Sequence, residues 1–200
     1  MVIVAHPDDE TLWAGGYILN HLNWNWSIIA LCRKSDLDRA PKFYKALDVL
    51  EANGALGNLD DSPDLQPLAK KEVEQAILDL IPSKQFDLIL THNPEGEYTR
   101  HLRHEEIGKA VISLWQAGKI KTKELLVFAY EDNDKAYFPR PIKKATIYIE
   151  LTKKIWLQKH SIITDIYGFE KESWEARTTP SKEAFWQFYN AEDAGAWFNQ

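Results

Sequence analysis

The chain opens on a short apolar run that stops at a histidine, a proline and three acids. Val2–Ala5 (VIVA) is apolar throughout, and HPDDE follows it directly. A short, fully apolar run bounded by turn chemistry is typical of a strand buried inside a parallel sheet. The run therefore predicts such a strand, and HPDDE is either a charged helix start or half of a metal site.

Strand-like and helix-like segments alternate along the rest of the chain. Further strands are predicted at Ser27–Cys32, Phe86–Asn93, Glu124–Tyr130 and Ala145–Leu151. Apolar residues near helical spacing predict helices at Thr11–Asn23, Pro41–Ala52, Ala69–Ile81, a segment through Ile107 and Leu114, Lys153–Ile163 and Ser181–Asn190. This alternation predicts an α/β fold, a doubly wound three-layer sandwich with a mostly parallel sheet. We expect the aromatic-rich tail from Trp174 to dock on the rest of the protein; a partner-binding surface is the alternative.

Composition narrows the class of protein. With 200 residues the chain can bury a full core, and we expect residues 1–200 to form a single domain. Lys plus Arg number 24 and Asp plus Glu number 30, a formal net charge of −6, which argues against nucleic acid or an anionic membrane as a partner. The single cysteine, Cys32, excludes an intramolecular disulfide. No leader-like segment or membrane span is visible, so we expect a soluble, cytoplasmic protein, and the sequence leaves open whether it forms a homo-oligomer.

HPDD has the composition of a metal site. Imidazole and carboxylate are good ligands for first-row metals, and a catalytic zinc needs three protein ligands and an open position. His6 and Asp9 are three residues apart, so a turn entering a helix can bring both side chains to one point. Asp8 must then point elsewhere, and a carboxylate beside a metal-activated water is well placed as a general base. The alternative is ordinary helix capping by Asp8 and Glu10.

A second group of ionisable residues follows the predicted strand Phe86–Asn93. Both groups then lie at the carboxyl ends of strands, where open parallel sheets bind their ligands. His101 and His104 are three residues apart at the start of a predicted helix, which places them on one face. One of them can supply a third metal ligand while the other donates a hydrogen bond to a reacting carbonyl oxygen, as metal-assisted amide hydrolysis requires. Taken alone, the two histidines are more often surface groups.

Two motifs carry a family resemblance. VAHPDDETLWAGG and, further on, THNPEGEYTRHLRHEEIGKAV closely resemble the LmbE-like family, the PIG-L-type zinc-dependent N-deacetylases. The match follows the family's motif order from residue 2 to about residue 112. It implies a Rossmann-like α/β domain and a hydrolase that removes an N-acetyl or other N-acyl group from an amino-sugar-containing small molecule. It also implies Zn2+ as the cofactor, and Fe2+ accepts the same ligand set.

The resemblance assigns roles to residues of both motifs. It makes His6, Asp9 and His104 the metal ligands, Asp8 the general base and His101 the group that stabilises the tetrahedral oxyanion.

One position departs from the family pattern. The family's second motif usually runs His-Pro-Asp-His, whereas HLRH stands at residues 101–104, so a cation at Arg103 replaces a carboxylate that orients the neighbouring histidine. Losing that carboxylate should lower the basicity of the imidazole, unless Glu97 or Glu105 compensates. Arg103 is therefore the feature behind an alternative function, a non-catalytic or weakly active sugar-binding relative.

Three further residues are candidates for binding substrate. By the resemblance, Arg39 matches a position whose arginine contacts sugar hydroxyls, Asp61 matches a substrate-binding aspartate, and His160 fits a late histidine near the substrate mouth. A surface salt bridge, a turn and a packed histidine are the alternatives. His92 is either a neighbour of the metal ligands or a hydrogen-bonded histidine at a strand end. A nucleotide-binding function is disfavoured, because the AGG of residues 14–16 is not the glycine fingerprint of a phosphate cradle.

Overall fold

The computed structural model describes residues 1–64, 66–99 and 101–198. Its strands are β1 (Val2–Val4), β2 (Trp26–Cys32), β3 (Ala52–Leu59), β4 (Gln85–Thr91), β5 (Lys121–Phe128), β6 (Tyr130–Glu131), β7 (Arg140–Pro141), β8 (Ile147–Glu150) and β9 (Lys182–Phe188). Its helices are α1 (Asp9–Leu19), α2 (Arg39–Val49), α3 (Lys70–Leu80), α4 (Leu102–Gln116), α5 (Lys153–Ser161), α6 (Trp174–Thr178) and α7 (Ala191–Phe198). A π-helical turn, Ile162–Ile166, continues α5.

Seven strands form one sheet in the order β3-β2-β1-β4-β5-β9-β8. The first five of that order are parallel, whereas β9 runs antiparallel to both β5 and β8. The short strands β6 and β7 form a separate two-stranded sheet. The chain winds outward in one direction from β1 to β3 and in the other from β4 to β5. The junction of β1 and β4 is thus the point where doubly wound sheets bind ligands.

Helices cover both faces of the sheet. On one face α1, α2, α5 and the π-helical turn pack over a core that includes Trp13, Phe43 and Phe185. On the other face α3, α4 and α7 pack over a core that includes Ile77 and Val111. Three layers with a mostly parallel sheet confirm the predicted fold class. None of the helices in the described ranges is long and apolar enough to cross a membrane.

The helix predicted at Ser181–Asn190 is wrong, because this segment contains the antiparallel strand β9. Its aromatic residues alternate between the faces of the sheet: Phe185 joins the core under α1, whereas Trp186 and Phe188 pack on the core under α4. Three aromatic residues among four fit the apolar face of a helix and a strand buried on both faces equally well. The antiparallel pairing with β5 and β8 is what makes the segment a strand. The expected docking of the tail is confirmed for α7, which packs on α4 and β9.

The strand β3 (ANGALGNL) has no counterpart among the predicted elements. Its glycines come so close to β2 that a Cβ atom at Gly54 would lie 2.2 Å from the carbonyl oxygen of Ile28, and one at Gly57 would lie 2.6 Å from that of Leu31. A strand that depends on glycine for close backbone approach lacks the β-branched and aromatic residues by which strands are recognised. The sequence of β3 therefore does not predict a strand.

A buried ion pair connects α1 with α5 and β9. Lys159 Nζ lies 2.7 Å from Glu183 Oε1, and both side chains are fully buried. The two oxygens of Glu183 also accept the backbone N–H groups of Gly16 and Tyr17, at 2.7 and 2.6 Å. Burial lowers the pKa of Lys159, and Glu183 opposes that shift. The ion pair therefore holds α1, the helix that begins at Asp9, against β9.

Candidate metal centre

The carboxyl edge of the sheet brings the two ionisable segments together. β1 pairs with β4 in parallel, with Val2 opposite Leu90, so the loops that follow these strands leave the sheet side by side. His6 and Asp9 lie where the loop after β1 enters α1. His101 directly precedes α4, and His104 lies in the first turn of that helix.

Three donor atoms converge at this edge. His6 Nδ1 lies 3.1 Å from Asp9 Oδ2, and His104 Nε2 lies 3.3 Å from both atoms. In a tetrahedral zinc site with bonds of about 2.0–2.1 Å, neighbouring ligand atoms lie about 3.3–3.4 Å apart. The spacing of the three donors therefore fits one divalent ion.

Two imidazole nitrogens of the cluster are buried without a hydrogen-bond partner in the described part of the chain. They are His6 Nε2 and His101 Nδ1. His6 Nε2 lies 3.2 Å from Asp61 Oδ1, but the contact lacks hydrogen-bond geometry. Neither nitrogen is one of the three converging donors. The clusters His6, His101, His104 and Asp9, His92, His104 each have ligand atoms close enough together to hold a metal ion, and imidazole and carboxylate are the donors that zinc and ferrous iron accept. The residues present thus fit a metal site.

Glu97 is the carboxylate that supports the histidines. Its Oε2 lies 2.6 Å from His104 Nδ1 and 3.0 Å from His92 Nδ1, and its Oε1 accepts the N–H of Asn93 at 2.8 Å. Burial raises the pKa of Glu97, but the charges of His92 and His104 outweigh it and hold the pKa at about 2. A carboxylate on the outer nitrogen fixes the tautomer of a metal-binding histidine, with Nε2 turned towards the site. Glu97 is therefore placed to compensate for the carboxylate that the motif lacks at Arg103.

His92 is both a hydrogen-bonded histidine at a strand end and a neighbour of the proposed metal ligands. Its Nε2 accepts the N–H of Ala5 at 3.0 Å, as expected of a histidine at a strand end. The same atom lies 3.4 Å from Asp9 Oδ2, which makes His92 a direct neighbour of the cluster. Asp9 itself is oriented by Trp13, whose Nε1 donates to Asp9 Oδ1 at 3.1 Å and leaves Oδ2 facing the histidines.

Asp8 lies beside the donors in a strained conformation. Its φ is 114°, a left-handed value that costs a non-glycine residue about 1–3 kcal/mol. Its side chain makes no capping hydrogen bond to α1, so the capping alternative does not describe it. Arg39 NH1 donates to Asp8 Oδ2 at 2.9 Å. Burial raises the pKa of Asp8 well above its usual range and Asp9 adds to the effect, while Arg39 opposes it.

Glu10 stabilises this conformation. Its Oε2 accepts the N–H of Asp8 at 3.1 Å, and its Oε1 accepts hydroxyl groups of Thr11 and Tyr167 at 2.6 and 2.8 Å. The side chain is fully buried, and burial raises its pKa. Glu10 thus does more than favour a helix start, because it holds the backbone that presents Asp8.

His101 packs directly against the two other histidines of the motifs. Its ring centroid lies 4.5 Å from that of His6 and 4.6 Å from that of His104. Burial lowers the pKa of His101 to about 3, helped by the charges of His104 and His6. A neutral imidazole at this position can donate through one nitrogen towards a bound molecule.

Arg103 points away from the histidines. Its fully buried guanidinium donates to the carbonyl oxygens of Asp60 and Gln66 and, at 2.6 Å, to Glu106 Oε2. Glu106 Oε1 in turn accepts the N–H of Leu68 at 2.8 Å. Arg103 and Glu106 therefore attach the segment after β3 to the first turns of α4.

The three substrate-binding candidates fall into two groups. Arg39 reaches Asp8 and stacks its guanidinium 4.2 Å from the ring centroid of Phe169. Asp61 contacts His6 and forms an ion pair with Arg33, and these partners outweigh burial and lower its pKa to about 2. Both residues line a cavity of about 180 Å³ over the donors. His160 lies on α5 with its ring 5.3 Å from that of Trp156, and it is not among the described residues that line this cavity.

Several residues that line the same cavity are absent from the candidates that the sequence provided, Arg33, Tyr98 and Trp174 among them. Arg33 directly follows β2 at the same edge of the sheet, and this position after a predicted strand is the feature of the sequence that could have identified it as a site residue. Tyr98 lies inside the second motif, with its ring 5.5 Å from that of His104. Trp174 lies far along the chain and reaches the site by packing its ring 4.9 Å from that of Tyr98. No local pattern marks Trp174, since the contact is purely tertiary.

Comparison with known proteins agrees with this architecture. The model of the PIG-L family, GlcNAc-PI de-N-acetylase, matches residues 1–115, and the chain belongs to that family. Among solved structures, an N,N'-diacetylchitobiose deacetylase from Pyrococcus horikoshii has a TM-score of 0.69 at 15% identity, covering 94% of this chain and 82% of that one. The zinc-inhibited form of teicoplanin deacetylase Orf2 has a TM-score of 0.62 at 15% identity, covering 93% of this chain and 96% of that one. GalB, the 4-carboxy-2-hydroxymuconate hydratase of Pseudomonas putida KT2440, has a TM-score of 0.60 at 14% identity, covering 94% of this chain and 95% of that one.

Proposed function

We propose that the chain is a metal-dependent hydrolase that removes an N-acetyl or other N-acyl group from an amino-sugar-containing small molecule. The observation that carries the proposal is the convergence of donor atoms from His6, Asp9 and His104 at 3.1–3.3 Å, with Asp8 and His101 beside them. Family membership and the deacetylases among similar folds support it. The hydratase of similar fold means that the activity must be argued from the site.

The proposed metal ligands are His6, Asp9 and His104, and the ion is Zn2+ or Fe2+. When bound, such an ion supplies Lewis acidity, which polarises an amide carbonyl and makes a water molecule more acidic. Glu97 and Trp13 hold the ligands in orientation from behind, through His104 Nδ1 and Asp9 Oδ1.

Asp8 is proposed to move the proton. Its Oδ2 accepts from Arg39, which leaves Oδ1 to take a proton from the attacking water and to deliver it to the departing amine. A raised pKa suits both tasks, since the carboxyl must release the proton that it has taken. His101 stabilises the oxyanion by donating one hydrogen bond, and Arg39 and Asp61 bind sugar hydroxyls.

Metal content is the first test. We expect about one divalent ion per chain in protein purified without chelator, and its loss in His104→Ala and His6→Ala. His160→Ala is the matched control, because His160 lies outside the cluster, and its metal content should equal that of the unchanged protein. Equal metal content in all four proteins would refute the assigned ligand set.

Acetate release is the second test, on a panel of N-acetylglucosamine conjugates with metal-loaded protein. We expect turnover that falls by about 10²- to 10⁴-fold in Asp8→Asn, the usual contribution of a general base. Arg103→Ala should keep the chemistry, because Arg103 does not contact the donors. Binding of the conjugates without acetate release would instead favour the sugar-binding alternative.

A further inference from the structure

Three adjoining cavities, together called the groove, lead away from the candidate metal centre. The cavity of about 180 Å³ over the donors shares Tyr98 and Trp174 with a neighbouring cavity of about 670 Å³. This second cavity shares Phe138, Pro139 and Arg140 with a third one of about 390 Å³. The first cavity has room for little more than one sugar ring, so a ligand that fills the groove extends well beyond the amide to be cleaved.

The middle of the groove is lined by aromatic side chains, and hydrogen bonds between Thr99 and Asp132 stabilise it. Tyr98 and Trp174 form one wall, and Tyr137 and Phe138, from the segment between β6 and β7, contribute to its lining. The Thr99 hydroxyl and backbone N–H both donate to the carboxylate of Asp132, at 2.7 and 2.8 Å. That carboxylate, the single acidic group lining this cavity among the described residues, is therefore already engaged. Flat apolar walls of this kind accept the faces of rings.

The far end of the groove is cationic, in a protein of net charge −6. Four cations line it and no carboxylate does among the described residues; the cations are Arg140, Lys143, Arg177 and Lys182. Lys182 is paired with Glu150 at 2.6 Å. Within the described ranges, the other three form no ion pair, and Glu131 is the cross-strand neighbour of Arg140. Uncompensated positive charge at one end of a cleft attracts an anion.

Two of these cations are fixed by aromatic stacking. The guanidinium carbon of Arg140 lies 4.1 Å from the ring centroid of Tyr137, and that of Arg177 lies 4.7 Å from the ring centroid of Phe138. Stacking uses the face of a guanidinium and leaves its in-plane N–H donors free for hydrogen bonding. The two arginines are thus preorganised as bidentate donors for a carboxylate or a phosphate.

A buried hydroxyl at the same place also lacks a partner. Thr178 is among the residues that line the third cavity and is 4% exposed, and its buried Oγ1 makes no hydrogen bond within the described part of the chain. An unpaired buried hydroxyl is rare in a folded protein. This unpaired hydroxyl belongs to a residue at the same end of the groove as the cations, and it is an observation independent of their charge.

We propose that this groove is a substrate subsite in which Arg177, Arg140 and Lys143 bind an anionic group, a phosphate or a carboxylate, on the aglycone of the amino-sugar conjugate. The inference rests on the proposed function and specifies its substrate class. The aromatic middle of the groove takes the part of the aglycone between the sugar and the anion.

Binding of matched ligands tests this inference without requiring turnover. The probes are three N-acetylglucosaminides with one common aryl spacer that ends in a phosphate, a carboxylate or a primary amide, and affinity is measured by calorimetry on the Asp8→Asn variant. We expect one or both anionic probes to bind about tenfold more tightly than the amide, and the preference to shrink as ionic strength rises. Arg177→Gln should reduce the preference about fivefold and leave the affinity for the amide probe unchanged. Lys119→Gln, which removes an exposed cation outside the groove, should change neither.

The outcomes separate this inference from the proposed function. Equal affinity for charged and neutral probes, or an anion preference that survives Arg177→Gln, overturns the subsite. Inorganic phosphate that binds as tightly as the phosphate probe also overturns it, since the site would then bind a free anion. A preserved preference together with no acetate release from any of the three probes by the metal-loaded, unchanged protein refutes the deacetylase and leaves the subsite intact.

Discussion

Glu97 is the single residue on which the geometry of the candidate centre depends most. It is fully buried and hydrogen-bonded to His104 and His92 through one oxygen. Glu97→Gln preserves the shape of the side chain but removes the charge that orients both imidazoles. We expect metal affinity to fall by about 10- to 100-fold, as observed for outer-shell partners of metal ligands generally, and a competitive chelator titration measures it.

The control for this substitution is Glu95→Gln. Glu95 is an exposed acid two residues away, and it belongs to neither group of potential metal ligands among the described residues. If both variants keep the original affinity, Glu97 does not support the site and the departure at Arg103 again has no compensation.

At the scale of elements, Arg103 joins the segment after β3 to α4 rather than tuning a histidine. That segment carries Asp61, which contacts His6 and Arg33 at the rim of the site. Arg103→Met keeps the aliphatic volume, removes three hydrogen bonds and leaves the carboxylate of Glu106 without its cation. We expect a loss of about 3 kcal/mol in the free energy of unfolding and a raised KM at unchanged metal content.

Lys109→Met is the matched control on the same helix. Lys109 is partly exposed and pairs with Glu105 at 3.3 Å, so its removal should leave stability and KM nearly unchanged. An Arg103→Met protein that loses metal while its KM stays constant would show that Arg103 acts on the ligands after all. Denaturant titration and steady-state kinetics on the two proteins distinguish these cases.

At the scale of the whole molecule, the buried pair of Lys159 and Glu183 connects three elements that are far apart in sequence. Lys159→Met leaves a carboxylate buried without its cation, and we expect a loss of about 3–5 kcal/mol in the free energy of unfolding. Lys159→Met combined with Glu183→Gln should recover part of that loss, because no uncompensated charge remains. Lys182→Met, at an exposed pair, serves as control and should leave the thermal midpoint in place. A single variant as stable as the double variant would contradict the argument.

How far the sequence predicts this molecule depends on whether a feature is local. β1 and the second half of β4 are predictable because strand segments buried on both faces admit almost only apolar residues, and the ends of these strands place His6 and His104 at one edge. β9 was mistaken for a helix because its aromatics fit either period, and pairing with β5 decides the matter. The contacts of Arg103 and Trp174 are tertiary, so no spacing rule reveals them.

The engagement of Gly16 and Tyr17 by Glu183 has a consequence for hydrogen exchange. Both amides donate to a carboxylate from the opposite end of the chain, at 2.7 and 2.6 Å, so their protection reports on the contact between β9 and α1. Deuterium should enter these two positions only when β9 separates from the helix, in step with the amides of β9 itself rather than with those of the exposed end of α1. The helix that carries Asp9 would then belong to the slowest-exchanging unit of the protein, together with a strand formed more than 160 residues later.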